Sequence, residues 1–142
     1  MPVFPNKVPN LYELGPIIEV IIVPPVPVLK KIKDEGGTIP SKKVIALIDT
    51  GASNSCINNR IASELGLIAR DVIDVKTPSG SSKQPIYDLG FALPSLVQNI
   101  LPVTALGADL ELQPYDALIG RDILKLCTLI YNGWDNSYQL HL

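Results

Sequence analysis

The chain has 142 residues, nearly half of them hydrophobic and few charged, with a net charge of −2. That length supports one domain with a real core but not two sizeable ones, and the composition excludes a disordered polypeptide. Basic residues are scattered, and the one cluster, Lys30, Lys31 and Lys33, is offset by Asp34 and Glu35, so no nucleic-acid partner is expected.

The N-terminus, MPVFPNKVPN, lacks the apolar core of a secretory signal. Prolines 2, 5 and 9 each remove a backbone donor, which is awkward for a strand. Residues 1–15 read as an N-terminal extension and 16–142 as the domain. The longest apolar stretch, 16–29, contains Glu19 and prolines 24, 25 and 27. A spanning helix needs about 20 apolar residues, so no membrane partner is expected and the expected location is the cytoplasm.

Residues 17–23, rich in Ile and Val, predict a strand, and 26–33 predict another. Asp34-Glu35-Gly36-Gly37 is a turn signal. The run 44–48 is nearly continuous in apolar residues, which predicts a strand buried on both faces, and it ends abruptly on Asp49. Residues 58–65 predict a short helix, with Gly66 just past its end. Alternating polarity over 72–77, a turn over 78–82 and a return over 86–93 describe a projecting hairpin. Further strands are expected at 101–106, 127–131 and 138–142, with one helical turn at 122–126. Thirteen prolines argue against long helices. The class is therefore all-β: a small closed or partly closed barrel with one or two short helices.

The carboxylate at the end of the apolar run calls for chemistry. Gly51 permits the sharp turn that would expose Asp49, and Thr50 can brace the loop. A lone aspartate, with an ordinary pKa near 4, is a poor proton donor at useful pH. Two carboxylates within about 3 Å share one proton and are acid and base at once. Asp49 therefore needs a second acid.

A bare Asp-Thr-Gly arises by chance at roughly 1 position in 8,000, but its context is stronger. The stretch Leu47-Ile48-Asp49-Thr50-Gly51-Ala52-Ser53 is followed far downstream by Leu118-Ile119-Gly120-Arg121-Asp122. In these two motifs, and in their order, the chain resembles the retropepsin-like (retroviral-type) aspartic proteases. The resemblance implies that Asp49 is catalytic and that Thr50, Gly51, Ala52 and Ser53 support its loop. It implies that the second motif passes beneath the site as scaffold, and that Pro78, Ser79 and Gly80 form a flap over substrate. Of fourteen acids only Asp49 precedes Thr-Gly or Ser-Gly. The resemblance then implies a homodimer in which a second copy supplies the other Asp49, cleaving a peptide or protein substrate without metal or organic cofactor.

Two departures from the family pattern stand out. Ser53 occupies the place where retroviral members often carry an acid that pairs with the arginine, so Arg121 must find another partner, such as a backbone carbonyl. The N-terminal prolines move the expected dimer seam to the C-terminal strand, 137–142. Other readings carry less. A dimer of the same fold could bind a peptide or a protein partner without cleaving it, although such a module needs no acid. "IALIDTGASNS" also looks like a phosphate loop of actin-like ATPases, but those need two large lobes with more helix. His141 is the one histidine and sits beside the C-terminus, and Cys56 and Cys127 read as buried free thiols without metal-ligand spacing.

Overall fold

The computed structural model describes residues 3–93 and 100–142. In chain order the elements are β1 (Val3–Lys7), α1 (Leu11–Leu14), β2 (Ile17–Val23), α2 (Val26–Asp34), β3 (Lys42–Ile48), β4 (Cys56–Asn58), α3 (Asn59–Glu64), β5 (Asp71–Thr77), β6 (Gly80–Ala92), β7 (Ile100–Ala108), β8 (Ala117–Ile119), α4 (Arg121–Leu124), β9 (Thr128–Asn132) and β10 (Ser137–His141). The chain is mostly β with short helices, as its composition implies; among the described residues there are four helices rather than one or two.

Pairing runs β2–β3–β8–β4–β7–β6 and returns from β6 to β2, so six strands form a ring. β3 and β8 run parallel, as do β4 and β7. β5 lies outside the ring and pairs only with the first half of β6, making the expected hairpin. Its turn is tighter than the sequence suggests: Thr77 pairs with Gly80, and only Pro78 and Ser79 lie between them.

A second sheet of three antiparallel strands has the order β1–β10–β9. Tyr138, fully buried on β10, donates its hydroxyl to the Ile17 carbonyl and so ties this sheet to the ring. The N-terminal extension packs into the same body: β1 pairs with β10, and Val8 and Leu11 lie in the hydrophobic core. Pro2 lies outside the described residues, and Pro5 is accommodated in an edge strand, where a missing donor costs least.

The core fills the ring with Val20 and Ile22 of β2, Val44, Ala46 and Ile48 of β3, and Leu89 and Phe91 of β6. Alternation selects these residues, since every second side chain of a strand shares a face. β3 is buried on one face only. Lys43 and Ile45 point outward and are exposed, because among the described residues no second layer covers them.

The stretch expected as a strand at 26–33 is a helix. Its β-branched residues suit a strand locally. However, Pro25 is the N-cap in an extended conformation and Pro27 falls in the first turn, where a missing N–H costs nothing. Leu29 and Ile32, three residues apart, turn inward on one face. Gly36, at φ 74°, ends the helix in the left-handed region, and the Gly37 N–H reaches back to the Ile32 carbonyl.

The seam was expected at the C-terminal strand. β10 is the middle strand of its sheet, with β1 on one side and β9 on the other, so it has no free edge to offer.

Candidate active site

Strand β3 brings its last apolar residue, Ile48, into the core and then hands the chain to Asp49. Two backbone bonds fix this exit. The Ile48 N–H donates to the Pro16 carbonyl (2.9 Å) and the Asp49 N–H to the Ile119 carbonyl (2.9 Å). The Asp49 side chain is half-buried. Its Oδ1 accepts the Gly51 N–H (2.9 Å), while the Ala52 N–H closes the turn on the Asp49 carbonyl (3.2 Å). A Cβ on residue 51 would sit 3.1 Å from that same Oδ1, so glycine lets the backbone come up under the carboxylate. Thr50, Gly51 and Ser53 are exposed, and Ala52 is half-buried.

The Gly120-Arg121 segment passes beneath this loop. The Arg121 N–H donates to the Ala52 carbonyl (2.8 Å), and Nη1 of Arg121 donates to the Thr50 carbonyl (2.7 Å). With Ser53 in the acid's place, Arg121 has thus found a backbone carbonyl. Gly120 has ordinary extended backbone angles, so its reason is space: a Cβ there would lie 2.7 Å from the Asn54 carbonyl carbon and 2.8 Å from its oxygen. Leu118 and Ile119 pair in register with Leu47 and Ile48, which aligns the two motifs rung by rung.

Ser55, absent from the sequence-level site, is the link between them. It is fully buried. Its hydroxyl donates to Oδ1 of Asp122 (2.7 Å) and accepts the Gly120 N–H (3.0 Å), while its own N–H donates to Oδ2 of Asp122 (3.0 Å). Asp122 also accepts the Ile123 N–H (2.9 Å), which anchors α4. No local pattern marks Ser55, because its partners lie more than sixty residues away in the chain.

Asn58 was missed as well, although an Asn just before a short helix is a cap signal. It is buried, accepts the Arg60 N–H (3.4 Å), and donates to Glu111 (3.1 Å) and Asp116 (3.0 Å). Arg60 completes this cluster by pairing with Glu64, Glu111 and Asp116.

Pro78, Ser79 and Gly80 are at the tip of the β5–β6 hairpin, a different part of the sheet from the floor at β3 and β8. Cys56, the first residue of β4, is partly buried. Burial foremost, and then the carboxylates of Asp122 and Asp49, push its thiol up to about 11, so at neutral pH it is protonated and a poor nucleophile. Cys127 is also partly rather than fully buried, and burial raises its pKa too. Among the described residues no group of three or more His, Cys, Asp or Glu side chains is arranged to hold a metal ion, and no helix is long and apolar enough to cross a membrane.

Comparison with known proteins agrees with this geometry. The aspartyl protease family profile matches residues 36–123, more than half of the chain, a span that includes the Asp49 loop, the hairpin and Gly120-Arg121. No curated protein matches the sequence. Among solved structures the chain is similar to the EIAV protease, solved with the inhibitor HBY-793, at 19% identity and a TM-score of 0.50 over 83% of this chain and 92% of that one. It is also similar to the simian foamy virus (mac) protease, at 18% identity and a TM-score of 0.47, over 78% of this chain and 92% of that one. A retropepsin-like aspartic protease from Rickettsia conorii aligns at 15% identity and a TM-score of 0.49, over 88% of this chain and 91% of that one.

Proposed function

The chain belongs to the aspartyl protease family, and on that premise we propose that it is an endopeptidase acting as a homodimer, with one Asp49 from each subunit in a shared site. The observation that carries this reading is the placement of Asp49. A carboxylate stands at the mouth of a buried strand, half-exposed, on a loop whose backbone is pinned from below by Arg121. Only one Asp-Thr-Gly is available per chain, so the second acid of the pair comes from a second copy across a two-fold axis.

In this mechanism one Asp49 takes a proton from water while the water oxygen attacks the carbonyl carbon of the scissile peptide. The other Asp49 gives its proton to the carbonyl oxygen, and a tetrahedral diol forms. The first Asp49 then passes its proton to the amide nitrogen while the second takes one from a diol hydroxyl, so the C–N bond breaks, amine and acid leave, and the pair again holds one proton. Thr50, Gly51, Ala52 and Ser53 keep the acids in place, and Leu118 to Asp122 form the floor. Pro78, Ser79 and Gly80 act as the flap over an extended peptide. No metal or organic cofactor enters these steps. A cytoplasmic location suits the two unpaired thiols.

The test is cleavage of a diverse peptide library from acid to neutral pH. Asp49→Asn, which keeps the shape but cannot ionise, is expected to abolish cleavage while leaving the fold intact. The wild-type rate is expected to be bell-shaped, since a pair sharing one proton loses activity when both acids are protonated and when both are ionised. A flat profile through alkaline pH, or full activity in Asp49→Asn, contradicts the proposal.

A further inference from the structure

Of the chain's three arginines, two are matched by acids. Arg60 pairs with Glu64, Glu111 and Asp116, and Arg70 pairs with Asp88. Arg121 has no carboxylate partner among the described residues, and its guanidinium gives one hydrogen bond, to the Thr50 carbonyl. We propose that Arg121 is a specificity-determining residue: the open edge of its guanidinium takes a carboxylate of the substrate, so that peptides with an acidic side chain close to the scissile bond are preferred. This rests on the endopeptidase reading above and names the substrate class that such a site favours.

The guanidinium is fixed to the loop that carries Asp49. The Arg121 N–H donates to the Ala52 carbonyl (2.8 Å) and Nη1 to the Thr50 carbonyl (2.7 Å), so backbone and side chain grip the loop at two points. Thr50 follows Asp49 directly, and an extended chain advances about 3.3–3.6 Å per residue. A peptide whose scissile bond lies at Asp49 therefore comes within reach of Arg121 in roughly three residues. Arg121 is exposed, as are Thr50 and Ser53 on the same loop.

Bracing one carbonyl takes one of the guanidinium's five N–H donors, and the rest keep the planar fork that matches a carboxylate. A carboxylate fits better than a neutral carbonyl, since it offers two oxygens and a charge, and charge-assisted bonds are about twice as strong as neutral ones. Ser53, four residues after Asp49, brings no charge to neutralise the arginine. Its Oγ accepts the Asn54 amide (3.3 Å), which leaves its own O–H to give to an anion. The nearby acids do not fill the place. Asp122 is turned to the Ser55 hydroxyl and N–H and to the Ile123 N–H, and no ion pair joins Asp49 to Arg121.

The test takes a peptide that the wild-type chain cleaves. Each of the roughly three residues on either side of its scissile bond is replaced by Glu and, in parallel, by Gln, which has the same shape without the charge. Rates are compared at about pH 6, where Glu is ionised. At one position or more the Glu peptide is expected to have a kcat/KM higher by roughly 10-fold. The gain is expected in KM rather than kcat, because the contact is the same in ground and transition states. Arg121→Met is expected to bring that ratio to about one, whatever the lost Thr50 bond does to the absolute rate. Arg121→Lys, a charge without the fork, is expected to keep part of it. If Arg121→Met does not fold, Ser53→Asp stands in for it: the new carboxylate occupies the guanidinium from its own loop, and the ratio is expected to fall to about one or below. Equal cleavage of Glu and Gln peptides by the wild type overturns the carboxylate site and leaves the endopeptidase standing. So does a ratio unchanged in Arg121→Met, or in Ser53→Asp where that variant stands in. A wild-type chain that cleaves no peptide removes the endopeptidase reading, and this inference with it.

Discussion

Ser55 shows how one hydroxyl can hold two distant segments together. It donates to the half-buried Asp122 and accepts from the buried Gly120 backbone. Ser55→Ala keeps the shape but strands the Gly120 N–H and takes one donor from a carboxylate. Leaving buried polar groups unpaired costs about 1–3 kcal/mol. Urea unfolding is expected to show a loss in that range, with weaker cleavage as the floor under Asp49 loosens. Ser53→Ala, on the exposed part of the same loop, is expected to stay within about 0.5 kcal/mol of wild type. Equal stability of the two variants contradicts the bracing role of Ser55. These residues also mark what could be read in advance. Asp49 and Gly51 stand out locally, as an acid ending an apolar run and a glycine in the turn after it, and Gly120 stands out only through the resemblance of its motif. Ser55 does not, because only the folded chain brings its partners to it.

At the scale of elements, the crossing of the Asp49 loop over β8 and α4 depends on the absence of a side chain at residue 120. In Gly120→Ala the new methyl would press on the backbone of Asn54 and on the Ala52 carbonyl oxygen, 3.0 Å away. Backbone cannot swing aside as a flexible side chain can, and overpacking of this kind costs typically about 1–3 kcal/mol. The expected outcome is a lower urea midpoint together with reduced cleavage. An unperturbed variant would mean that the two segments are not packed as described. Elements were legible to the extent that a local pattern decides them. β2 is readable from its own residues, as are the hairpin and α3 with Gly66 after it. α2 was not, because a Val-rich run suits a strand until the prolines of its first turn and its inward face are seen together. The exposed side of β3 was not either, since an apolar run cannot report whether a second layer covers it.

For the whole molecule, the ring of six strands and the three-stranded sheet place one carboxylate loop at the end of β3, and in the proposed mechanism that loop is half of an acid pair. The order of the second sheet was hidden from the sequence because β1 and β10 come from opposite ends of the chain, and long-range pairing leaves no local signature. Sharing of the site is tested most directly by subunit mixing. Wild-type and Asp49→Asn chains are mixed in equal amounts, exchange is verified, and cleavage is measured per wild-type subunit. A mixed dimer holds one acid and is expected to be inactive. Random pairing leaves about a quarter of the dimers wild type on both sides, so activity per wild-type subunit is expected to fall to about one half. A large excess of the variant is expected to suppress it almost completely. Activity per wild-type subunit that stays constant after exchange would show that each Asp49 works alone and would contradict the shared site.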